Sequence, residues 1–266
     1  MPELSLDDVT LHYETEGSGP PLLLLAGMLS DSASWEPLVS LMSRHTVIRL
    51  DNRTTGRTVP WDAPVDVARM VRDALALMDH LEFKRFHIAG HSMGGLMGLE
   101  IAGTAPDRVA SLTIMASGRV RMPRIAGIFD ALVAVREAPE GERLWLRALY
   151  PFVFGPAFFE DPETADMAVE AALAYPHAQT LEAMKHQIDM FRNMRLVADL
   201  HKLTLPVQVL YGEEDILVPP TMAQPGFAPL PNLTEHWLKG AGHSVVWDAT
   251  ETVAGQLNAF TATNPI

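Results

Sequence analysis

Residues 90–94 read Gly-His-Ser-Met-Gly, and this pentapeptide limits the possible folds of the chain more than any other segment. An apolar run at residues 86–89 precedes it, and a second apolar stretch at residues 95–102 follows it. This order predicts a strand, a tight turn and a helix. Flanking glycines let the two backbone segments approach closely, so that a serine on the turn exposes its Oγ. Ser92 is therefore a candidate nucleophile, although a glycine-rich turn with an incidental serine gives the same pattern.

A serine hydroxyl becomes a good nucleophile when an imidazole accepts its proton and a carboxylate orients that imidazole. Candidates for both groups follow predicted strands further along the chain. Residues 206–211 predict a buried strand, which runs into the acidic turn that contains Asp215. Residues 234–238 predict a last strand, which leads to a glycine-flanked loop with His243. The chain order is then nucleophile, acid and base.

These motifs resemble those of the α/β-hydrolase fold superfamily, and the chain is most similar to small bacterial esterases and enol-lactone hydrolases. The resemblance extends to Asp-Asn-Arg-Thr-Thr-Gly-Arg-Thr at residues 51–58 and covers nearly all of the chain outside a middle segment. Thr54 stands where the family usually has glycine, which we expect to change only the local turn. The order serine, acid, histidine is the one found in this family.

The resemblance implies a role for each member of a catalytic triad. Ser92 would be the nucleophile, His243 the general base and then the general acid, and Asp215 the carboxylate that orients His243. Glu213 and Glu214 adjoin Asp215 and are alternatives for the acid, but alignment with the family favours Asp215.

The family also stabilises the tetrahedral intermediate of acyl transfer with two backbone N–H groups, which form an oxyanion hole. The resemblance assigns one N–H to Met93, directly after the nucleophile. It assigns the other to Met28, in the loop after the third strand. Ala26 stands where the family commonly has histidine, and we expect this difference to alter the rigidity of the loop more than the reaction.

Short β-like runs alternate with helical patterns along most of the chain, which predicts an α/β fold. The resemblance implies a mostly parallel eight-stranded sheet with helices on both faces. A helix is predicted from Pro64 to Leu81, with the proline in its first turn. The β-like runs stop after Gly118, so we expect residues 1–118 and 203–266 to form the core and residues 119–202 an inserted helical cap.

The cap and the loops at the carboxyl ends of the strands are where such a fold binds its ligand. Four side chains are candidates for contact with the substrate: Trp35, Arg119, Phe154 and Met190. Arg119 belongs to a cluster with Arg121 and Arg124, and an arginine that points inward could pair with a substrate carboxylate. The alternative, that all three arginines lie on the surface, stays open.

Composition argues against several other classes of protein. The net charge of −13 disfavours binding to nucleic acid or to anionic membranes, and the absence of cysteine excludes disulfides and thiolate metal sites. The histidine pair His87 and His91 lies on a predicted strand and turn, not on one helical face, so we expect no metal site and no cofactor. The first residues lack the pattern of a secretory signal, and the longest apolar run is too short to span a membrane. We therefore expect a cytoplasmic protein of undefined oligomeric state.

Together these features predict a serine hydrolase that cleaves a small carboxylic ester or lactone through an acyl-enzyme. Two other chemistries of the same fold use the same residues: hydrolysis of a carbon–carbon bond, and perhydrolysis without a cofactor. A ligand receptor built on a hydrolase scaffold, with little turnover, is the alternative from another class. The sequence does not separate these possibilities.

Overall fold

The computed structural model describes residues 2–119 and 123–266, and its centre is one sheet. The strands of that sheet are β1 (Glu3–Ser5), β2 (Thr10–Gly17), β3 (Pro21–Leu25), β4 (Thr46–Leu50), β5 (Phe86–His91), β6 (Val109–Met115), β7 (Val207–Gly212) and β8 (Leu233–Leu238). They lie in the order β1-β2-β4-β3-β5-β6-β7-β8. Strands β1 and β2 run antiparallel to their neighbours, and β3 to β8 are parallel. The prediction of an α/β fold with a mostly parallel, eight-stranded sheet is confirmed.

Ten α-helices lie in the described residues. They are α1 (Glu36–Val39), α2 (Val67–His80), α3 (Met93–Thr104), α4 (Pro123–Glu137), α5 (Gly141–Val153), α6 (Pro162–Ala174), α7 (Leu181–Arg192), α8 (Pro220–Ala223), α9 (Val245–Asp248) and α10 (Thr250–Thr263). None of these helices is long and apolar enough to cross a bilayer.

Strand β3 shows how the sheet divides the core into two layers. All five of its residues are buried, and its alternate leucines face opposite sides. Leu23 and Leu25 pack in a cluster with residues of α2, α3 and helices α4 to α7. Leu22 and Leu24 pack with residues of α1, α9 and α10. A strand covered on both faces reads as a continuous apolar run, as the four leucines of β3 do.

Helix α2 begins later than the sequence predicts. Its N-cap is Asp66, whose Oδ1 accepts a hydrogen bond of 2.7 Å from the backbone N–H of Arg69. The expectation that Pro64 lies in the first turn is therefore wrong, because the proline precedes the cap. An aspartate that satisfies a free N–H of the first turn sets the start of this helix.

The described residues between β6 and β7 contain helices and no strand. Helix α4 packs on α5 and α7, and α5 packs on α6. The segment returns to the core through Glu100 of α3, whose buried carboxylate accepts hydrogen bonds of 3.0 Å from the backbone N–H groups of both Val197 and Ala198. Residues of α4 and α7 line the same cavity as Ser92.

Candidate active site

Ser92 sits on a sharp turn between β5 and α3. Its φ of 52° and ψ of −118° are unusual for a residue with a side chain, and this strain is what a nucleophile elbow requires. A Cβ at Gly90 would overlap the carbonyl oxygen of Gly94, and a Cβ at Gly94 would overlap that of Leu25. Only glycine fits at these two positions. The Ser92 N–H donates to the Met115 carbonyl oxygen at 2.8 Å, which ties the elbow to β6.

Asp215 and His243 form a buried pair at the ends of β7 and β8. The Asp215 Oδ2 lies 2.8 Å from the His243 Nδ1, and both residues are almost fully buried. The Asp215 Oδ1 accepts two further hydrogen bonds, from the N–H groups of Leu217 at 2.9 Å and Val218 at 2.8 Å. An ionised carboxylate can only accept, so a neutral His243 beside it has its proton on Nδ1 and its lone pair on Nε2. This is the tautomer that a general base needs.

The alternative acids face solvent. Glu213 and Glu214 are both exposed, in contrast to Asp215. Of these three residues, Asp215 alone has a side chain hydrogen-bonded to His243. The geometry favours the same acid as the family alignment.

His91 links the serine turn to the histidine loop, and sequence reasoning missed this role. Its Nε2 lies 2.8 Å from the carbonyl oxygen of His243, and the two rings are 4.9 Å apart between centroids. Burial, reinforced by the neighbouring His243, lowers the pKa of His91 to about 4, so the ring is neutral at pH 7. Its Nε2–H donates to that carbonyl. Ser92 Oγ has no hydrogen-bond partner among the described residues, as is common in sites without substrate.

The loop after β3 approaches the nucleophile closely. A Cβ at Gly27 would lie 3.1 Å from the Cβ of Ser92 and 3.1 Å from the Nδ1 of His91. Met28, the next residue, is half-buried, and Met93 is fully buried at the first position of α3. Met28 therefore follows a residue that lies against Ser92, and Met93 follows Ser92 itself.

A cavity of about 500 Å³ opens at Ser92. Its lining is mostly apolar and comes from α3, α4, α7 and the segment before β7; Met93, Leu96, Ile125, Phe191 and Leu196 contribute. Two arginines, Arg119 and Arg192, also line it. Arg192 pairs with Asp130 and Asp189, whereas Arg119 donates to the Ala198 carbonyl oxygen at 2.7 Å.

The structure places the other predicted substrate residues away from this cavity. Trp35 is buried in the core beneath the sheet, and Phe154 stacks on Phe158 with 4.0 Å between ring centroids. Met190 lines a different groove, of about 800 Å³, between α2 and α7. Aromatic and methionine side chains in a helical segment more often pack against each other than against a ligand.

Of the predicted arginine cluster, Arg119 alone is seen at the cavity. Arg124 is exposed and donates to the Ile216 carbonyl oxygen, and Arg121 lies outside the described residues. His87, the other histidine of the sequence pair, is buried on β5 with its Nδ1 2.8 Å from the Oγ of Ser111. In the part of the chain that the structure describes, no three histidine, aspartate or glutamate side chains group to hold a metal ion.

The sheet has eight strands, most of them parallel, with a strained serine turn between a strand and a helix and a histidine–carboxylate pair at the ends of later strands. This combination defines a class of hydrolases. A model of the α/β hydrolase fold matches residues 20–250, and the chain belongs to that family.

Among curated proteins, the chain is 34% identical over 239 residues to one from Variovorax paradoxus that bears the provisional name carbamate hydrolase RutD. The match covers 88% of this chain and 89% of that protein. Among solved structures, the enol-lactonase of Burkholderia xenovorans superposes with a TM-score of 0.83 at 22% identity, over 97% of this chain and 99% of that one. A thermophilic esterase from Thermogutta terrifontis gives 0.81 at 23% identity, over 95% and 93%. At such identities the structural likeness shows the fold alone.

Proposed function

We propose that this protein is a serine hydrolase that cleaves a carboxylic ester or lactone through an acyl-enzyme, with Ser92, His243 and Asp215 as its triad. The observation that carries the proposal is the orientation of His243. Its Nδ1 is held by the buried Asp215 carboxylate at 2.8 Å, and its backbone is held by His91, the neighbour of Ser92. That arrangement leaves Nε2 as a base beside the serine turn.

In the first half-reaction, Ser92 Oγ attacks the carbonyl carbon and its proton passes to Nε2 of His243. The carbonyl π electrons move to the oxygen, which becomes an oxyanion that accepts from the Met28 and Met93 N–H groups. The intermediate collapses, the bond to the leaving oxygen breaks, and His243 returns its proton to that oxygen. An acyl group is then bound to Ser92, and an alcohol has been released or, from a lactone, remains tethered.

Water completes the cycle by the same steps, with water as the nucleophile and Ser92 Oγ as the leaving group. It gives a proton to Nε2 of His243 as its oxygen bonds to the acyl carbon, and the second oxyanion occupies the same hole. Collapse breaks the bond to Ser92 Oγ, which recovers its proton from His243. The products are a carboxylic acid and the free enzyme.

We further propose that residues 119–202 act as a cap over residues 1–118 and 203–266, and that Arg119 binds a carboxylate on the acyl part of the substrate. Arg119 lines the Ser92 cavity, which supports this proposal. Among the described residues, its guanidinium donates to the Ala198 carbonyl oxygen. A partly buried guanidinium with donors to spare is suited to a carboxylate.

Carbamates are a second candidate substrate class, because the relative at 34% identity carries carbamate hydrolysis in its name. A carbamate presents the same carbonyl to Ser92, and the intermediate on the enzyme would be a carbamoyl-serine. The triad and the oxyanion hole serve both substrates, so the difference between them lies in the cavity.

The test is labelling of Ser92 with a fluorophosphonate, read by intact mass, together with initial rates on p-nitrophenyl esters, lactones and aryl carbamates. We expect the wild type to be labelled and to turn over esters or lactones, and Ser92→Ala to lose both properties. Wild-type protein that binds these compounds without labelling or turnover would overturn the proposal and favour a receptor. Faster turnover of carbamates than of esters would favour the second candidate.

A further inference from the structure

One buried side chain of α7 contacts the loop that carries Met28. Gln187 is fully buried, and its Oε1 accepts a hydrogen bond of 2.8 Å from the backbone N–H of Leu29. Leu29 directly follows Met28 and has a φ of 64°, in the left-handed region that non-glycine residues rarely adopt. A conformation that is unfavourable for leucine persists only if its surroundings hold it.

A second glutamine supports the first. Gln179 donates from its Nε2 to the Thr54 carbonyl oxygen at 2.9 Å and to the Oε1 of Gln187 at 3.3 Å. Thr54 also has a positive φ, of 76°. The Gln187 Oε1 therefore accepts two hydrogen bonds, one from Gln179 and one from the Leu29 N–H.

A tyrosine from the same segment makes an independent contact with this region. The hydroxyl of Tyr175 donates to the Oδ2 of Asp31, two residues after Leu29, at 2.8 Å. The segment from Tyr175 to Gln187 thus reaches the loop after β3 at two points. These contacts are hydrogen bonds, which are directional. They therefore restrain the backbone angles of the loop as well as bury it.

The Met28 N–H lies in the peptide plane between Gly27 and Met28, one residue before Leu29, so a fixed Leu29 restrains the chain on one side of that donor. Oxyanion stabilisation depends on donors that are already oriented before the reaction, since a donor that must move gives up part of its effect. The hydrogen bond to Gln187 also occupies the Leu29 N–H, so that this N–H does not compete with Met28 for the oxyanion.

We propose that Gln187 is a positioning residue for the oxyanion hole: by accepting the Leu29 N–H it holds Met28 in the conformation that stabilises the tetrahedral intermediate. The inference rests on the proposed function, because it needs Met28 to serve as an oxyanion donor. It makes the cap a part of the catalytic apparatus, beyond its role as a cover.

The experiment compares Gln187→Met, which removes the strong acceptor at similar size, with Gln187→Glu, which keeps an acceptor for Leu29 and Gln179. Gln208→Met is the matched control, since Gln208 is also a buried glutamine but lies on β7 and donates to Thr113 at 2.8 Å. For each protein kcat and KM are measured on p-nitrophenyl acetate, with the Ki of phenylboronic acid, whose tetrahedral adduct on Ser92 occupies the oxyanion hole.

We expect Gln187→Met to lower kcat by about 10- to 100-fold and to weaken boronate inhibition, with KM within about twofold of wild type. Gln187→Glu should recover most of kcat, and Gln208→Met should keep the wild-type value. An unchanged kcat in Gln187→Met, or an equal loss of kcat in Gln208→Met, would overturn the inference. The proposed function would still stand if the fluorophosphonate labels the wild type. No labelling of the wild type would overturn both.

Amide hydrogen exchange of the wild type tests the same idea without a variant. The Leu29 N–H should exchange at least about tenfold more slowly than an unprotected amide, because it is hydrogen-bonded to a buried acceptor. Exchange at the unprotected rate would overturn the inference even if Gln187→Met failed to fold.

Discussion

At the residue scale, the three hydrogen bonds of Asp215 predict the effect of its amide analogue. In Asp215→Asn, Oδ1 can still accept from Leu217 and Val218, so the turn should be retained. The amide nitrogen would then face Nδ1 of His243 and donate to it, which moves the ring proton to Nε2. A protonated Nε2 cannot accept the proton of Ser92. We expect kcat for p-nitrophenyl acetate to fall by about 10³- to 10⁴-fold.

Glu214→Gln is the control for this change, because Glu214 is exposed one residue away. It should keep kcat within about twofold. An Asp215→Asn enzyme that folds with wild-type kcat, or a large loss in Glu214→Gln, would assign the orienting carboxylate to a different residue.

Arg119 makes a second prediction at the same scale. Arg119→Met keeps the aliphatic stem and removes the charge, so KM for a p-nitrophenyl monoester of a dicarboxylic acid should rise about tenfold, the worth of one charge-assisted hydrogen bond. KM for the neutral butyrate ester should stay within about twofold. Arg124→Met, at an exposed arginine, serves as the control. Equal changes in KM for both esters would mean that Arg119 affects the shape of the cavity and does not bind the substrate carboxylate.

At the scale of elements, hydrogen bonds of backbone N–H groups join the end of α5 to the His243 loop. Asp248 accepts from the N–H groups of Gly155 at 2.9 Å and Gly242 at 2.8 Å, and the Ser244 N–H donates to the Val153 carbonyl oxygen at 2.6 Å. A Cβ at Gly242 would lie 2.7 Å from the Gly155 nitrogen. The two segments would have to separate to admit it.

Gly242→Ala should therefore lower kcat by about tenfold and destabilise the protein by about 1–3 kcal/mol, as crowding in a packed region does. Gly255→Ala is the matched control, because Gly255 lies in α10 with open space around it. That change should raise the free energy of unfolding by about 0.5–1 kcal/mol, since alanine favours a helix over glycine. Urea unfolding and steady-state rates check both. A stable, fully active Gly242→Ala protein would contradict the close contact.

How far the sequence predicts the elements depends on whether the signal is local. The strands predicted at residues 206–211 and 234–238 agree with β7 and β8 to within one residue at each end, because the signal for each strand lies within the strand itself. The start of α2 was misplaced because Pro64 and Asp66 are both start signals, and the aspartate cap prevails. The contact of Gln187 with Leu29 joins residues 158 apart, and no pattern within either segment predicts it. The roles of side chains in residues 119–202 were hardest to predict for the same reason.

At the scale of the whole molecule, two buried histidines make stability depend on pH. His45 and His87 lie on the face of the sheet covered by α10, with 6.4 Å between ring centroids. Burial lowers the pKa of both, and that of His87 falls to about 4 from an ordinary value of 6.5. Between those two pH values the unfolded chain binds more protons at His87 than the folded protein does. The free energy of unfolding therefore falls as pH falls through that range.

His87→Gln tests this dependence, because the glutamine amide can still bond to Ser111. One pKa unit corresponds to about 1.4 kcal/mol, so His87 accounts for about 3 kcal/mol of the stability lost between pH 6.5 and pH 4. Urea unfolding over this range should show a shallower pH slope in His87→Gln than in the wild type.

The comparison of slopes isolates His87 from groups that act in the opposite direction. Burial raises the pKa of the Asp31 and Asp248 carboxyl groups, so their contribution to stability grows as pH falls. Those groups are present in both proteins and cancel in the difference. His201→Gln, at an exposed histidine, is the control for loss of an imidazole without loss of a buried ring. Identical slopes in the wild type and His87→Gln would mean that His87 becomes charged in the folded protein as readily as in the unfolded chain.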